Sequence, residues 1–389
     1  MGDLIFIARQ DTLEDVQIDG WLNDYKLHGE DSFVFNMPKY WEKMCLSPQA
    51  ANDRRVNGDA LEYVLTVAAP GGTATLPEWM ALLCDTAEQA AAGLYAGLLT
   101  AEQLAQSSVA MAAVSNSETA MAAVTGSETA MNAICGVEMA LGYLHDSPHW
   151  DATVKENSMA IAKAAVALAN SAEFSVISSV AEMAENSAAM SAVAASATAM
   201  SAVADSNTAR TAISASEYYN QYIKENDMAI AKLAVGFAGL ASAGYSGMAG
   251  VAADATAMTA VAASSTAMTA VAASNTAMTA VCGTSTAKTA LKNSPLKKTK
   301  TLTYRGTGAQ TIENSGVCIM LTAKCSSDNT DSSKLTWTFA TKKYGTGSSS
   351  ALVLSSEKEN IMSITNPFKC TRGGSWSSEY TMTVTYIKC

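Results

Sequence analysis

Residues 247–293 read GMAGVAADATAMTAVAASSTAMTAVAASNTAMTAVCGTSTAKTALKN. Met248, Met258, Met268 and Met278 stand ten residues apart, and Lys288 closes the series. Val251, Val261, Val271, Val281 and Leu291 keep the same register. The unit, Ser/Asp-x-Thr-Ala-Met-x-Ala-Val-x-x, also appears upstream. There Met111, Met121 and Met131 precede Val114, Val124 and Ile134, and Met190, Met200 and Arg210 precede Val193, Val203 and Ile213. Residues three apart share one face of a helical turn. Ten residues at about 100° each advance about 1000°, roughly 80° short of three turns. One straight helix would therefore swing its Met–Val stripe by that amount every repeat, and a decad coiled coil would need severe overwinding. The pattern predicts one short helix of about seven residues, then a turn, in each decad. Ser, Asp or Thr just before each Thr-Ala-Met suits a repeated N-cap. A β-solenoid is the rival, since Thr and Val favour strands. The apolar spacing of three and the helix-forming Ala and Met weigh against it. Helices this short are unstable alone in water. Their Met–Val faces are expected to pack on neighbouring helices or on other chains, which makes Met258, Val261, Met268, Val271, Met278 and Val281 candidates for an oligomer core.

A longer repeat lies over the decads. Lys155-Glu-Asn-Ser-Met-Ala-Ile-Ala-Lys163 returns 69 residues later as Lys224-Glu-Asn-Asp-Met-Ala-Ile-Ala-Lys232. A tandem array of like units does not bring together the few unlike residues that an enzyme pocket needs. No phosphate-binding loop, zincin helix, nucleophile elbow, EF-hand loop or dinucleotide fingerprint occurs. Only three histidines exist, with His145 and His149 beside Pro148 in a hydrophilic insertion that reads as a surface turn. The eight cysteines show no CxxC spacing, so neither a zinc site nor any other metal or cofactor is expected. Four of them lie between Cys318 and Cys389. A disulfide there would need an oxidising medium, and reduced thiols are the expectation for cytoplasmic synthesis.

The chain has 389 residues, 49% apolar and only 16% charged. Ala dominates the apolar share, which favours thin or oligomeric cores over one thick core. The composition excludes a disordered chain and a collagen. Residues 1–100 carry a net charge of −9, residues 101–291 another −9, and residues 292–389 a net +7. A basic end on an acidic chain suits partner binding, and lysines also blunt sheet edges. Lys297, Lys298 and Lys300 are the only basic cluster, too little to suggest nucleic-acid binding. The start of the sequence shows no secretory or myristoylation pattern. Leu233 to Ala253 is uncharged, but its Ala, Gly and Ser would gain little on entering a bilayer, so no membrane insertion is expected.

The two ends differ from the middle. Residues 1–100 hold Trp21, Tyr25, Phe33, Phe35, Tyr40 and Trp41, with Leu4–Ile7 reading as a strand and Leu76–Thr100 as helical. This part reads as an anchoring domain or a cap for the array. Beyond residue 296, Leu335-Thr-Trp337-Thr-Phe339 and Tyr380-Thr-Met382-Thr-Val384-Thr-Tyr386 alternate as half-buried strands do. Leu302–Tyr304, Val317–Leu321, Ala351–Leu354 and Ile361–Ile364 add four more candidates, enough for a β-sandwich. The loop Arg372-Gly-Gly-Ser-Trp376 pairs a cation with an aromatic ring. Arg372, Trp376 and Tyr380 are therefore candidate receptor contacts, as exposed aromatics anchor binding sites. The expected fold is α+β, multi-domain and elongated. It comprises an anchoring domain at 1–100, a shaft of decad helices at 101–295 and a β-sandwich tip at 296–389.

At decads such as Ala263-Ser-Ser-Thr-Ala-Met-Thr-Ala-Val271, and in its three-part plan, the sequence resembles fibre proteins of tailed bacteriophages. The likeness covers roughly residues 105–292. It implies a non-enzymatic homotrimeric virion appendage, docked to other virion proteins by its N-terminal part. Its C-terminal part would face a host receptor or surface polysaccharide. The motif is structural, so no functional residue carries over. The shaft also departs from the coiled coil and triple β-helix familiar in such fibres. Two other readings are a bacterial surface adhesin with a repeat shaft, which needs export or an anchor, and an ice-binding protein. The latter rests on the evenly spaced Thr256, Thr266, Thr276 and Thr286.

Overall fold

In the computed structural model the fold is mixed helix and sheet. The structure describes residues 15–45, 47, 50, 56, 59, 101–106, 108–116, 118–304, 308–326, 335–338, 341–345, 358–365, 368–372 and 379–389. The expected strand at Leu4–Ile7, the strand at Ala351–Leu354 and the helix over Leu76–Thr100 lie outside them. Two compact units are present. One comprises residues 1–167 and 172–179, the other residues 168–171 and 180–389. The β module thus belongs to the same unit as the second run of decads, and residue 296 marks a change from helix to strand inside it.

Each decad is one helix, longer than expected, and the turn is shorter. Ala197–Asp205, Ala255–Ala263, Ser265–Ala273 and Asn275–Gly283 have nine residues each. A single extended residue separates successive helices: Ser264 has φ −99° and ψ 118°. This one residue ends the first helix and caps the next. The Ser264 N–H donates to Val261 O (3.1 Å), its Oγ accepts from Ala267 N (3.3 Å), and its carbonyl accepts from Met268 N (2.9 Å). Ser196, Ser206 and Ser274 repeat the arrangement, as does Asp254 with its carboxylate. The hinge turns the chain by 101° between 255–263 and 265–273, and by 104° between 187–195 and 197–205.

Three such turns bring each helix back over the one three elements before it. Met248–Ala253 packs on Asn275–Gly283, Ala255–Ala263 on Ser285–Lys292, and Asp227–Phe237 on Ser265–Ala273. In the other unit Ala101–Gln106 packs on Glu128–Cys135, and Ser108–Ser115 on Glu138–His145. The decads therefore wind into an α-solenoid with three helices per turn. Polar side chains bond the coils together. Ser147 Oγ donates to Ser115 O (2.6 Å), Asn157 Nδ2 to Thr125 O (3.1 Å), Ser216 Oγ to Ala184 O (2.5 Å), Asn226 Nδ2 to Ala194 O (2.9 Å) and Ser294 Oγ to Ala262 O (2.5 Å). In every case the partner lies 32 residues back, one coil away.

The winding corrects one expectation. Met258, Val261, Met268, Val271, Met278 and Val281 are all fully buried within a single chain. Their burial needs no second chain, because the coil turns every Met–Val face inward onto the small Ala of its neighbours. The threonines proposed as an ice-binding row also separate. Thr256 and Thr266 sit on helices that diverge by 101°, so the row winds around the coil instead of running along one face. The uncharged stretch Leu233–Ala253 is split between Asp227–Phe237 and Met248–Ala253.

Helix Ser285–Lys292 leads into eight strands among the described residues. They are β1 (Lys297–Tyr304), β2 (Gly308–Glu313), β3 (Val317–Cys325), β4 (Leu335–Thr338), β5 (Thr341–Gly345), β6 (Lys358–Thr365), β7 (Phe368–Arg372) and β8 (Tyr380–Lys388). One antiparallel sheet has the order β1-β8-β3-β6-β5, the other β2-β7-β4. Leu302, Tyr304, Met320, Met362, Ile364, Met382 and Val384 of the larger sheet share one core with Ile312, Phe368 and Cys370 of the smaller. The larger sheet's other face contributes Ile319, Leu321, Ile361 and Ile387 to the core of the helical coil. The sheet thus closes the open end of the solenoid, whose last coil would otherwise expose its apolar interior. β2, β5 and β7 escaped the sequence reading. They are short, and Gly and Pro at their borders read as loop.

Near the N-terminus, helices Asp15–His28 and Pro38–Cys45 pack through rings. Trp21 stacks on Tyr40 at 4.8 Å, and Trp41 meets Tyr25 at 4.7 Å and Phe35 at 4.9 Å. Tyr25 donates its hydroxyl to Asp59 (2.8 Å).

Candidate functional site

Two buried lysines are the chemically distinctive groups of the repeat. Met159–Leu168 and Met228–Phe237 form the body of two eleven-residue helices that are buried on nearly every side. A helix apolar all round belongs in a core, yet each carries one lysine, Lys163 at 0% and Lys232 at 2% exposure. Lys163 Nζ donates to Asn132 Oδ1 (2.7 Å) and Phe174 O (3.0 Å), and lies 3.3 Å from Glu128 Oε1. Lys232 Nζ donates to Ser201 Oγ (2.8 Å), Ser242 O (3.1 Å) and Ala243 O (3.4 Å). Each ammonium ties a helix 31 residues back to the irregular segment that follows its own helix. The lysine thus adds a hydrogen bond to carbonyls of that segment, Phe174 O in one copy and Ser242 O in the other, the latter shared with Tyr245 N (3.1 Å). Burial lowers the Lys232 pKa, and Asp205 acts against the shift. Cys135 is pushed up to about 12 by burial, with Lys163 opposing. The lysines read as tethers. A lysine recurring at one place in two apolar words 69 residues apart was the signal that could have marked them.

A carboxylate joins distant parts of the second unit. Glu225 accepts from Asn275 N (3.1 Å), Thr276 N (3.0 Å) and Thr276 Oγ1 (3.1 Å) at the start of helix 275–283. Burial pushes its pKa up, but the hydrogen bonds from Thr276 and Asn275 outweigh it and hold the group below the ordinary 4.5. Glu359 on β6 clasps the last helix through Lys288 (2.8 Å) and Lys292 (2.7 Å), which lower its pKa. Glu313 pairs with Lys388 (2.9 Å) and is lowered by it.

The three candidate receptor contacts fall at the edge of the described structure. Arg372 ends β7, opposite Gly308 and Leu335. Tyr380 begins β8, opposite Tyr304. Trp376 lies outside the described residues. The backbone thus places Arg372 and Tyr380 on different sheets. The expected His145–His149 turn is present between helices, where His145 meets Asp146 (2.9 Å) and His149 Nε2 lies 3.2 Å from Asn116 O.

A groove of ≈ 480 Å³ runs between stacked helices 255–263 and 285–292, lined by Thr259, Ser285, Thr286, Thr289 and Asn293 among others. Thr259 and Thr289 already donate to backbone carbonyls of their own helices. Among the described residues no group of three or more His, Cys, Asp or Glu could hold a metal ion, and no single helix is long and apolar enough to cross a membrane. No protein-family model matches the chain, and no curated protein matches it.

Proposed function

We propose that the chain is a non-catalytic structural component of a tailed-phage particle. Its N-terminal part attaches to other virion proteins, its solenoid serves as a spacer, and its basic C-terminal module contacts the host surface. One observation supports the reading best. The repeat directs its Met, Val and Ala inward and its cap and tether groups onto its own backbone, so its chemistry is used up in its own folding. Distinctive surface chemistry is left to the ends. A homotrimer remains part of the proposal, but its seam would be formed by surfaces other than the buried Met–Val faces. Light scattering coupled to size exclusion tests the assembly: a mass of three chains is expected, and a monomer overturns the trimer. Immunogold labelling with antibody to the purified chain tests the location. Labelled appendages on phage particles from the source culture are expected, and unlabelled particles overturn the virion reading.

A further inference from the structure

Among the described residues, no helix or strand covers half of one face of the larger sheet. β8 residues 381, 383, 385 and 387 point to the same side by strand alternation. Ile387 at one end joins the helical core, together with Ile319 and Ile361 of neighbouring strands. The other end carries three cross-strand rows. Thr299, Thr385 and Thr322 make the first; Thr301, Thr383 and Lys324 the second; Thr303 and Thr381 the third. Thr322, nearest the helices, is buried, whereas Thr299, Thr301, Thr303 and Lys324 are exposed. Thr301 and Thr383 meet hydroxyl to hydroxyl at 3.1 Å. Strand spacing sets the rows: neighbours across the sheet lie about 4.8 Å apart, and alternate residues along a strand about 6.8 Å.

Among the described residues these rows hold no aromatic or large aliphatic side chain, so they lack the anchors on which protein interfaces depend. Each hydroxyl can donate or accept, and its proton turns to suit the partner. Exposed Lys297 and Lys324 border the rows, and the module from residue 292 onward carries +7 against −18 for the rest of the chain. Among the described carboxylates, Glu359 beside Thr322 is held by Lys288 and Lys292, and exposed Glu379, two residues before Thr381, stands at the far end of the rows. A regular hydroxyl lattice beside cations complements a chain that offers many hydroxyls and a repeating negative charge.

We propose that this threonine face docks an anionic polysaccharide; the proposal rests on reading the C-terminal module as the contact end. The full-length chain is tested for binding to immobilised alginate, a polyuronate, with neutral dextran and a DNA duplex as comparisons. Alginate is expected to bind and the other two are not. Lys324→Glu should weaken alginate about tenfold, as loss of a charged hydrogen bond does. The double variant Thr301→Val, Thr383→Val keeps strand propensity and should weaken it about fivefold, as loss of a neutral hydrogen bond does. Lys369→Glu on the smaller sheet makes the same charge change and should stay within about twofold. Absence of alginate binding, equal binding of dextran or DNA, or an equal loss in Lys369→Glu overturns the proposal. Labelling of host cells is scored separately. Cells labelled without alginate binding would remove this face and leave the contact-end reading intact. Alginate binding lost in Lys324→Glu, with no cell labelled by the wild type, would keep the face and remove that reading.

Discussion

The two copies of the word Lys-Glu-Asn-x-Met-Ala-Ile-Ala-Lys share one backbone role and differ in how they hold a charge. Asn157 and Asn226 do the same things. Each caps its own helix through Oδ1, at 3.1 Å to Ala160 N and Ala229 N, and each donates to a carbonyl 32 residues back. The lysines then part company. Lys163 has a carboxylate, Glu128, within 3.3 Å, whereas the matching position 69 residues on is Ala197. Asn132 becomes Ser201, and the carbonyl of Phe174 becomes that of Ala243. Ala167 becomes Gly236, where an added Cβ would collide with the Ala204 carbonyl. A repeated word therefore fixes the helix and its bond to the next coil, while the neighbouring coil decides how the buried charge is met.

The sharpest way to break the comparison is to make the second copy like the first. Gly236→Ala forces backbone from backbone, because the obstacle is a main-chain carbonyl, and is expected to cost about 3 kcal/mol, at the upper end of overpacking. The reverse change, Ala167→Gly, should cost about 1 kcal/mol. Urea denaturation of both variants measures the contrast, and equal losses would show that the two copies pack alike.

Lys163→Met and Lys232→Met come next. Both remove an ammonium that bonds main-chain carbonyls and a polar side chain, Asn132 or Ser201, but only Lys163 also loses an ion pair with a carboxylate. Losses of about 3 and about 2 kcal/mol respectively are expected from the groups left unsatisfied. The reverse ranking would mean that Glu128, half in solvent, contributes nothing.

Acid probes the second copy through Glu225. A depressed carboxylate pKa contributes stability that is present above its ordinary value and lost as pH falls through the lowered one. The amide signals of Asn275 and Thr276 should therefore titrate below pH 4.5, the ordinary value for Glu225, and Glu225→Gln should abolish that titration. The smallest effect sharpens the comparison instead. Ala197→Glu places the missing carboxylate in the first turn of helix 197–205, where it suits both Lys232 and the helix dipole. A gain of about 0.5 kcal/mol is expected, as for an exposed ion pair. Thermal melts with and without salt detect it.

Much of the repeat is legible in the residues alone. The decad register, the Ser and Asp caps and the inward Met and Val follow from spacing and local hydrogen bonding. The expected seven-residue helix became nine, because one residue suffices as the hinge when it ends one helix and caps the next. Of the candidate contacts, Arg372 and Tyr380 proved to be strand ends on different sheets. Nothing in a linear reading of Thr299, Thr322 and Thr385 shows that they share a row.

The sequence by itself determined where each helix starts, which face is apolar and where helix gives way to strand, since these depend on neighbours within about ten residues. Only the tertiary structure decided that the apolar faces close on their own chain. A hinge of 101° sets that outcome, and no pattern of hydrophobicity encodes an angle. The same holds for the partners of Lys163 and Lys232, which lie 31 residues away and become neighbours only once the coil has turned.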